Sequence, residues 1–261
     1  MNVKLMSLRP GVPAATLWPR SRPASIMPDM TDSAREPHEL IGRGRAADIY
    51  ALDGGRVLRR YRTPHRCEAE ANLMRYLRQA GYPVPEVFGA DGQDLVMERL
   101  GGPTMLDDLA RRPWRAGGHA RLLADLHNRL HQIAAPAGVR HPVGPGDRVV
   151  HMDLHPSNVM LTPSGPVVID WSNAGAGAPG ADVAMTFLIM ASSDADELPR
   201  HVRPAVGILR RIFLRRFLAA VRDDHRPYLA AVAEIRIADP NVRPAEAARL
   251  RRLVRDVSGR R

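Results

Sequence analysis

The sequence predicts an α+β chain, β-rich toward its N-terminal end and mainly helical beyond. Short β-prone runs separated by turn residues crowd residues 40–101. Apolar residues then recur at helical spacing over 103–135 and 204–222. A chain of 261 residues, 44% hydrophobic and 25% charged, can form one domain of two lobes, or two small domains, with a sizeable core. It holds no apolar run of about 18 residues, the length that spans a bilayer. Its single cysteine, Cys67, excludes an intrachain disulfide framework and a cysteine-rich zinc site, and points to a reducing, cytoplasmic setting.

Residues 1–37 read as a disordered leader with six prolines. Its apolar stretch at 12–18 is short and interrupted by Pro13, unlike an export signal, and Met27 or Met30 could open the chain instead. Residues 49–52 and 56–61 flank Asp53-Gly54-Gly55 and predict a β-hairpin. Residues 66–80 predict a helix with Ala69, Leu73, Met74 and Leu77 on one face, stopped by Gly81. Residues 94–100 read as a strand ending at Gly101-Gly102. Two helices follow over 103–135, with the break at Gly117-Gly118 and His119 opening the second, whose stripe is Leu122, Leu123, Leu126, Leu130 and Ile133. After a Pro/Gly-rich connector at 136–146, three short apolar runs, at 149–150, 159–161 and 167–169, are each bounded by turn residues. From Asp182 the chain reads as mainly helical. Val206, Leu209, Ile212, Phe213, Phe217 and Ala220 form one stripe, and Pro244 starts an arginine-rich last helix.

The segment His151-Met152-Asp153-Leu154-His155-Pro156-Ser157-Asn158, followed by Val167-Val168-Ile169-Asp170-Trp171, carries the chemistry. Asp, Asn and Asp at the ends of short strands supply hard oxygen ligands suited to Mg²⁺ and one carboxylate able to take a proton from a hydroxyl. Any one of them alone is an ordinary turn or cap residue; the joint spacing is far more specific. This segment resembles the catalytic loop of the aminoglycoside phosphotransferase-like family, small-molecule relatives of the protein kinases. Trp171-Ser172 stands where protein kinases have Phe-Gly, which argues against a regulated activation loop. The resemblance covers roughly residues 40–190. It implies a bilobal protein-kinase-like fold, with a small β-rich N-lobe at 38–101 and a larger, mainly helical C-lobe at 102–261.

The resemblance also implies an ATP- and Mg²⁺-dependent transfer of phosphate to a small-molecule hydroxyl. Asp153, Asn158 and Asp170 would be catalytic, with Asn158 and Asp170 on the metal. Gly42 and Gly44 would cover the phosphates. Arg59 would clamp them, paired with Glu70 (Glu68 is the second choice). Glu98 and Leu100 would lie nearest adenine, and Asp182 would open a C-lobe helix, which a plain N-cap would also do. Arg59 departs from the family pattern: the position belongs to lysine, and Lys4 is the only lysine in the chain. That leaves open a non-catalytic nucleotide-binding protein. The net charge of +10 is concentrated at 196–261, where 16 arginines face 8 acidic residues. A nucleic-acid surface is the third reading, weakened by low aromatic content. The same basic excess disfavours polycationic acceptors and favours a neutral or anionic hydroxylated metabolite. His151 and His155 lack a third N or S ligand for zinc, so His151 is expected to order the loop by hydrogen bonding. Cys67 beside Glu68 is expected to be unreactive. No membrane association is expected.

Overall fold

The computed structural model describes residues 39–258, except Arg45, 64–66, 194–198, Asn241 and Pro240, so the predicted leader lies outside the described residues. The N-terminal part is an antiparallel sheet of five strands: β1 (Leu40–Arg43), β2 (Ala47–Leu52), β3 (Arg56–Tyr61), β4 (Val87–Asp91) and β5 (Asp94–Glu98). The order is β1-β2-β3-β5-β4. The predicted β2–β3 hairpin turns through Gly54 and Gly55, both at positive φ, where a Cβ would be strained. Helix α1 (Glu68–Gln79) crosses between β3 and β4 and ends before Gly81, as its pattern predicts. Its buried face is Glu70, Ala71, Leu73, Met74 and Leu77; Ala69 points outward instead. The acidic Glu68 and Glu70 in its first turn suit the positive end of the helix dipole.

The linker to the helical part contains Gly102, at φ 117°, where a Cβ would stand 2.2 Å from the Leu161 carbonyl oxygen, so only glycine fits. Thr104 then caps α2 (Met105–Arg111) in a capping box with Asp107. The predicted break at Gly117-Gly118 falls elsewhere. Pro113 ends the run, and both glycines lie in the first turn of α3 (Ala116–Leu130), where the backbone's unpaired N–H groups tolerate them. Three short strand pairs shape the centre. β6 (Arg148–Val150) pairs with β9 (Gly175–Gly177), and β7 (Val159–Thr162) with β8 (Gly165–Val168), all antiparallel. Helices α4 (Pro179–Ser192), α5 (Arg203–Ala220), α6 (Leu229–Ala238) and α7 (Pro244–Ser258) complete the fold. The result is the bilobal α+β architecture the sequence predicts. None of the described helices is long and apolar enough to cross a membrane.

One continuous core joins Leu73, Met74 and Leu77 of α1 to Leu123, Leu126 and Leu130 of α3, to Trp171, and to Phe213 and Phe217 of α5. A second lies among α4, α6 and α7. Of the predicted α5 stripe, Phe213 and Phe217 are buried and Leu209 and Ala220 pack against the core, but Ile212 is 45% exposed. The Phe pair and Leu209 pack on the core, and Ile212 sits one residue off that face. Phe217→Ala is therefore expected to lower unfolding free energy by about 3–5 kcal/mol in urea denaturation, and Ile212→Ala by less than about 0.5 kcal/mol.

Candidate active site

Alternation along β3 puts Val57, Arg59 and Tyr61 on one face, toward α1. Arg59 is buried there and uses both arms of its fork. Its Nη1 donates to Glu70 Oε1 at 3.3 Å, and its Nη2 to Asp170 Oδ1 at 2.6 Å. The guanidinium also lies 4.8 Å from the centroid of the Tyr61 ring. The Tyr61 hydroxyl donates to Glu70 Oε2 at 2.5 Å, so both Glu70 oxygens are engaged. Glu68, the second choice for this role, turns away and accepts from the Gly92 amide at 3.2 Å. Burial pushes Arg59 toward losing its proton, but Asp170 and Glu70 outweigh it and hold the charge more firmly than usual.

Pairing of β6 with β9 sets Val150 opposite Gly175, which draws together the two loops that follow β6 and precede β9. The first runs 151–158 and ends in a 3₁₀ turn, Pro156–Asn158. The second carries Asp170, at φ 65° and ψ 67°, into the turn Trp171–Asn173. Ile169 N donates to the Asn158 carbonyl at 3.0 Å, tying one loop to the other. Asn158 Nδ2 donates to both the Asp153 carbonyl, at 2.9 Å, and Asp153 Oδ2, at 3.0 Å. That assignment leaves Asn158 Oδ1 with no donor among the described residues. Asp170 accepts from Ser172 Oγ at 3.0 Å as well as from Arg59, yet 36% of its side chain stays open. Burial raises the Asp170 carboxyl, but Arg59 and Ser172 prevail and hold it below the usual carboxylate range. Two oxygens left open, one carboxylate and one amide, are hard ligands of the kind that fits Mg²⁺.

His151 is fully buried and, as expected, orders the loop. Its Nε2 donates to the Ile169 carbonyl at 3.1 Å, and its Nδ1 accepts from the Asp153 amide at 3.2 Å. Burial keeps it neutral by lowering its pKa. Its ring lies 4.5 Å from that of Trp171, whose indole N–H donates to the Val168 carbonyl. His155 stands 3.5 Å from Asp153 Oδ1 and accepts from the Ser157 amide. Asp182 is not the helix cap: Ala178 holds that position, and Asp182 lies inside the first turn of α4. Its buried carboxylate instead accepts from the amides of His151, at 3.0 Å, and Met152, at 2.6 Å.

Gly42 lies in β1 and Gly44 in the turn to β2, where the Gly44 amide donates to the Ala47 carbonyl at 2.8 Å. At the end of β5 the Glu98 amide is spent on Glu86 and the Arg99 amide on Gly55. The Glu98 carboxylate accepts from the Glu86 amide at 3.2 Å. Among the described residues the Leu100 amide has no backbone acceptor. Cys67 is buried, and burial together with Glu68 pushes its thiol up to about 11, so it is inert. Sequence reasoning missed Tyr61, and it missed His127 and His131, which flank Asp182, and Asp223, which pairs with His131. A signal for the two histidines was present: they lie four residues apart, His127 on the buried stripe of α3 and His131 at its C-cap.

The sheet, the helical part and the loops between them define the class: a two-lobed, kinase-like protein. The chain matches the Phosphotransferase enzyme family over residues 38–145 and 140–228, and it belongs to that family. No curated protein sequence matches it significantly. Among solved structures it is similar to a thermostable mutant of aminoglycoside phosphotransferase APH(4)-Ia, with 17% identity and a TM-score of 0.56, over 86% of this chain and 96% of that one. A streptomycin-ATP-APH(2")-IIa ternary complex has 14% identity and a TM-score of 0.53, over 77% and 84%. Amicoumacin kinase hAmiN in complex with AMP-PNP, Ca2+ and Ami has 14% identity and a TM-score of 0.50, over 85% and 88%. Likeness at these identities is a likeness of fold.

Removing Glu70 takes from the buried Arg59 one of its two carboxylates and from the Tyr61 hydroxyl its acceptor. Glu70→Ala is expected to cost about 1–3 kcal/mol in denaturant unfolding, and Glu70→Gln less, because an amide oxygen still accepts from either donor.

Proposed function

We propose that the chain is an ATP- and Mg²⁺-dependent phosphotransferase that moves the γ-phosphoryl group to a hydroxyl of a small molecule. The observation that carries this reading is the Asn158 amide, fixed by two bonds to Asp153 so that its oxygen stays free, in the loop tied to that of Asp170. Asn158 and Asp170 would hold the metal, which when bound neutralises charge on the phosphate oxygens. Asp153 orients the acceptor hydroxyl and takes its proton as the oxygen forms its bond to phosphorus. The bond to the bridging oxygen breaks, and ADP leaves with its electron pair. The Arg59 cation faces the α- and β-phosphates, held in place by Glu70. Gly42 and Gly44 cover the phosphates, and adenine lies at the hinge beside Glu98 and Leu100, where the Leu100 amide is the donor left to it. The family match supports this reading, as do similar folds described with ATP and with AMP-PNP.

The acceptor we infer is a neutral or anionic hydroxylated metabolite. The net excess of 16 arginines over 8 acidic residues at 196–261 opposes a polycation. A second reading, nucleotide binding with little turnover, is favoured by one observation: the fork of Arg59 already occupies Asp170 at 2.6 Å, where a lysine would be less committed.

The test is melting temperature with ATP, with and without Mg²⁺, followed by ADP release with neutral polyols, sugar acids and an aminoglycoside as acceptors. A Mg²⁺-dependent rise is expected in the wild type and not in Asp170→Ala. Asp153→Asn is expected to keep the rise but to slow ADP release by about 10²–10⁴-fold. A rise without any turnover would select the second reading. Undiminished turnover in Asp153→Asn would remove Asp153 as the base.

A further inference from the structure

Beneath the catalytic loop lies a chain of charged groups that the transfer reaction does not itself use. His131 is the residue that follows α3, and it is buried. Its Nε2 lies 3.1 Å from Asp182 Oδ2, and its Nδ1 lies 2.8 Å from Asp223 Oδ2. With a carboxylate at each nitrogen, both must donate, which only the imidazolium can do. The helix ends agree with the charges. His131 sits at the negative end of α3, and Asp182 sits in the first turn of α4, at its positive end. The stretch bearing Asp223 is fastened to α3 by Asn128, which donates to the Ala220 carbonyl at 3.1 Å and accepts from the Arg222 amide at 3.0 Å. It is pressed onto α4 at Gly180, where a Cβ would stand 2.3 Å from the Asp224 carbonyl oxygen.

We propose that His131 is a positioning residue for the phosphoryl transfer: held as an imidazolium between Asp182 and Asp223, it keeps the buried Asp182 carboxylate ionised, and Asp182 in turn fixes the peptide that aims Asp153. This rests on the function proposed above. Asp182 grips the amides of His151 and Met152, and Met152 is held at φ 62°, a left-handed conformation unfavourable for its side chain. A carboxylate at full burial needs a compensating cation to stay charged. The other titratable groups around the pair are His127 from α3, Arg222 beside Asp223, and Tyr82 and His151 beside Asp182. His127 also supports the Asp182 charge, but from 3.6 Å, farther than the 3.1 Å of His131. Thr186 Oγ1 donates to the Leu154 carbonyl at 2.7 Å and so accepts from His127 Nε2, at 3.1 Å. That leaves His127 Nδ1 without a hydrogen-bond partner, 3.6 Å from Asp182. His127, His131 and Asp182 have the spacing of a metal site. However, Asp182 Oδ2 already receives the His131 and His151 donors, so a proton on His131 satisfies the cluster without an ion.

Burial lowers the affinity of His131 for its proton, but hydrogen bonds to Asp182 and Asp223 outweigh it and bring the pKa to about 9. A raised histidine pKa contributes stability that is complete below the ordinary value of 6.5 and is lost as pH rises through about 9. On this proposal the same loss weakens the hold on Asp182, and an alkaline limb of turnover is expected with that midpoint.

The experiment follows the His131 ring and the His151 and Met152 amides by NMR across pH 6–10, with kcat for MgATP breakdown measured over the same range. We expect His131 to stay protonated up to about pH 9, both amides to move with the same midpoint, and kcat to fall there. Asp223 is partly open to solvent, so Asp223→Asn should fold. It should shift the ring midpoint, the amide midpoint and the kcat limb together to lower pH by about one unit, with the KM for ATP changed less than twofold. His131→Gln should lower kcat at least tenfold and abolish the limb. A His131 ring already neutral at pH 7 overturns the proposal, and so does one equivalent of zinc in the purified protein. If kcat is measurable but its limb ignores Asp223→Asn, the positioning role is overturned while the phosphotransferase reading stands. If MgATP is never turned over, the phosphotransferase reading fails, and the shared or separate midpoints of ring and amides still decide whether His131 controls the loop.

Discussion

The molecule depends on one buried fork. Arg59 takes a permanent positive charge out of water in the middle of β3 and splits it between two carboxylates 11 and 111 residues away. Desolvating an ion costs several kcal/mol, so the geometry must satisfy nearly every donor and acceptor to break even. Here it does: Glu70 answers one arm and the Tyr61 hydroxyl, and Asp170 answers the other arm and Ser172. The consequence is mechanical as much as electrostatic. The sheet, helix α1 and the Asp170 loop cannot rearrange independently, because moving any one of them breaks a buried ion pair. A lysine carries a compact charge on a flexible stem and would hold the same three elements less rigidly.

Below the fork, the two loops that carry Asp153 and Asp170 are each held in an unfavourable conformation. Met152 and Asp170 are the only described residues besides glycine with positive φ. Such strain persists only where surrounding bonds over-determine it. Asp182 does this for Met152 through two backbone amides, and Arg59 with Ser172 does it for Asp170. His151, neutral and buried between them, links the loops by accepting from Asp153 and donating to Ile169. The side chains that these loops bring together are thus fixed by folding.

What could be read from the sequence and what could not divides along physical lines. The β2–β3 hairpin, α1 and the strand-end loops at 151–158 and 170–173 follow from local signals: a turn dipeptide, a 3.6-residue stripe, a dense run of polar residues at strand ends. The break falls at Pro113 rather than at Gly117-Gly118 because proline both stops a helix and starts one, whereas glycine only lowers helix propensity. Ile212 was misassigned because periodicity identifies a stripe but not its width. The exact duty of Asp182 was illegible, since a carboxylate four residues into a helix looks like any first-turn acid. Only the fold brings β6 beneath it. Tyr61 and Asp223 carry no local signal at all, because their partners lie on other elements.

These placements bear on how a chain with this site can work. Phosphoryl transfer asks a protein for little covalent chemistry and much positioning of charge. A site whose charges are already paired and pinned in the folded chain meets that demand without reorganising as charge develops. It also sets a condition on the ligand. Asp170 is already engaged by Arg59 at 2.6 Å, so under the proposed function a divalent cation would share that carboxylate with a guanidinium that cannot give up its proton. The open third of Asp170 and the free oxygen of Asn158 allow such sharing. The anionic phosphates of a nucleotide would then draw the Arg59 charge toward themselves and relax its hold on Asp170. On this physical basis nucleotide and metal should favour each other's binding, with Arg59 as the group that couples them.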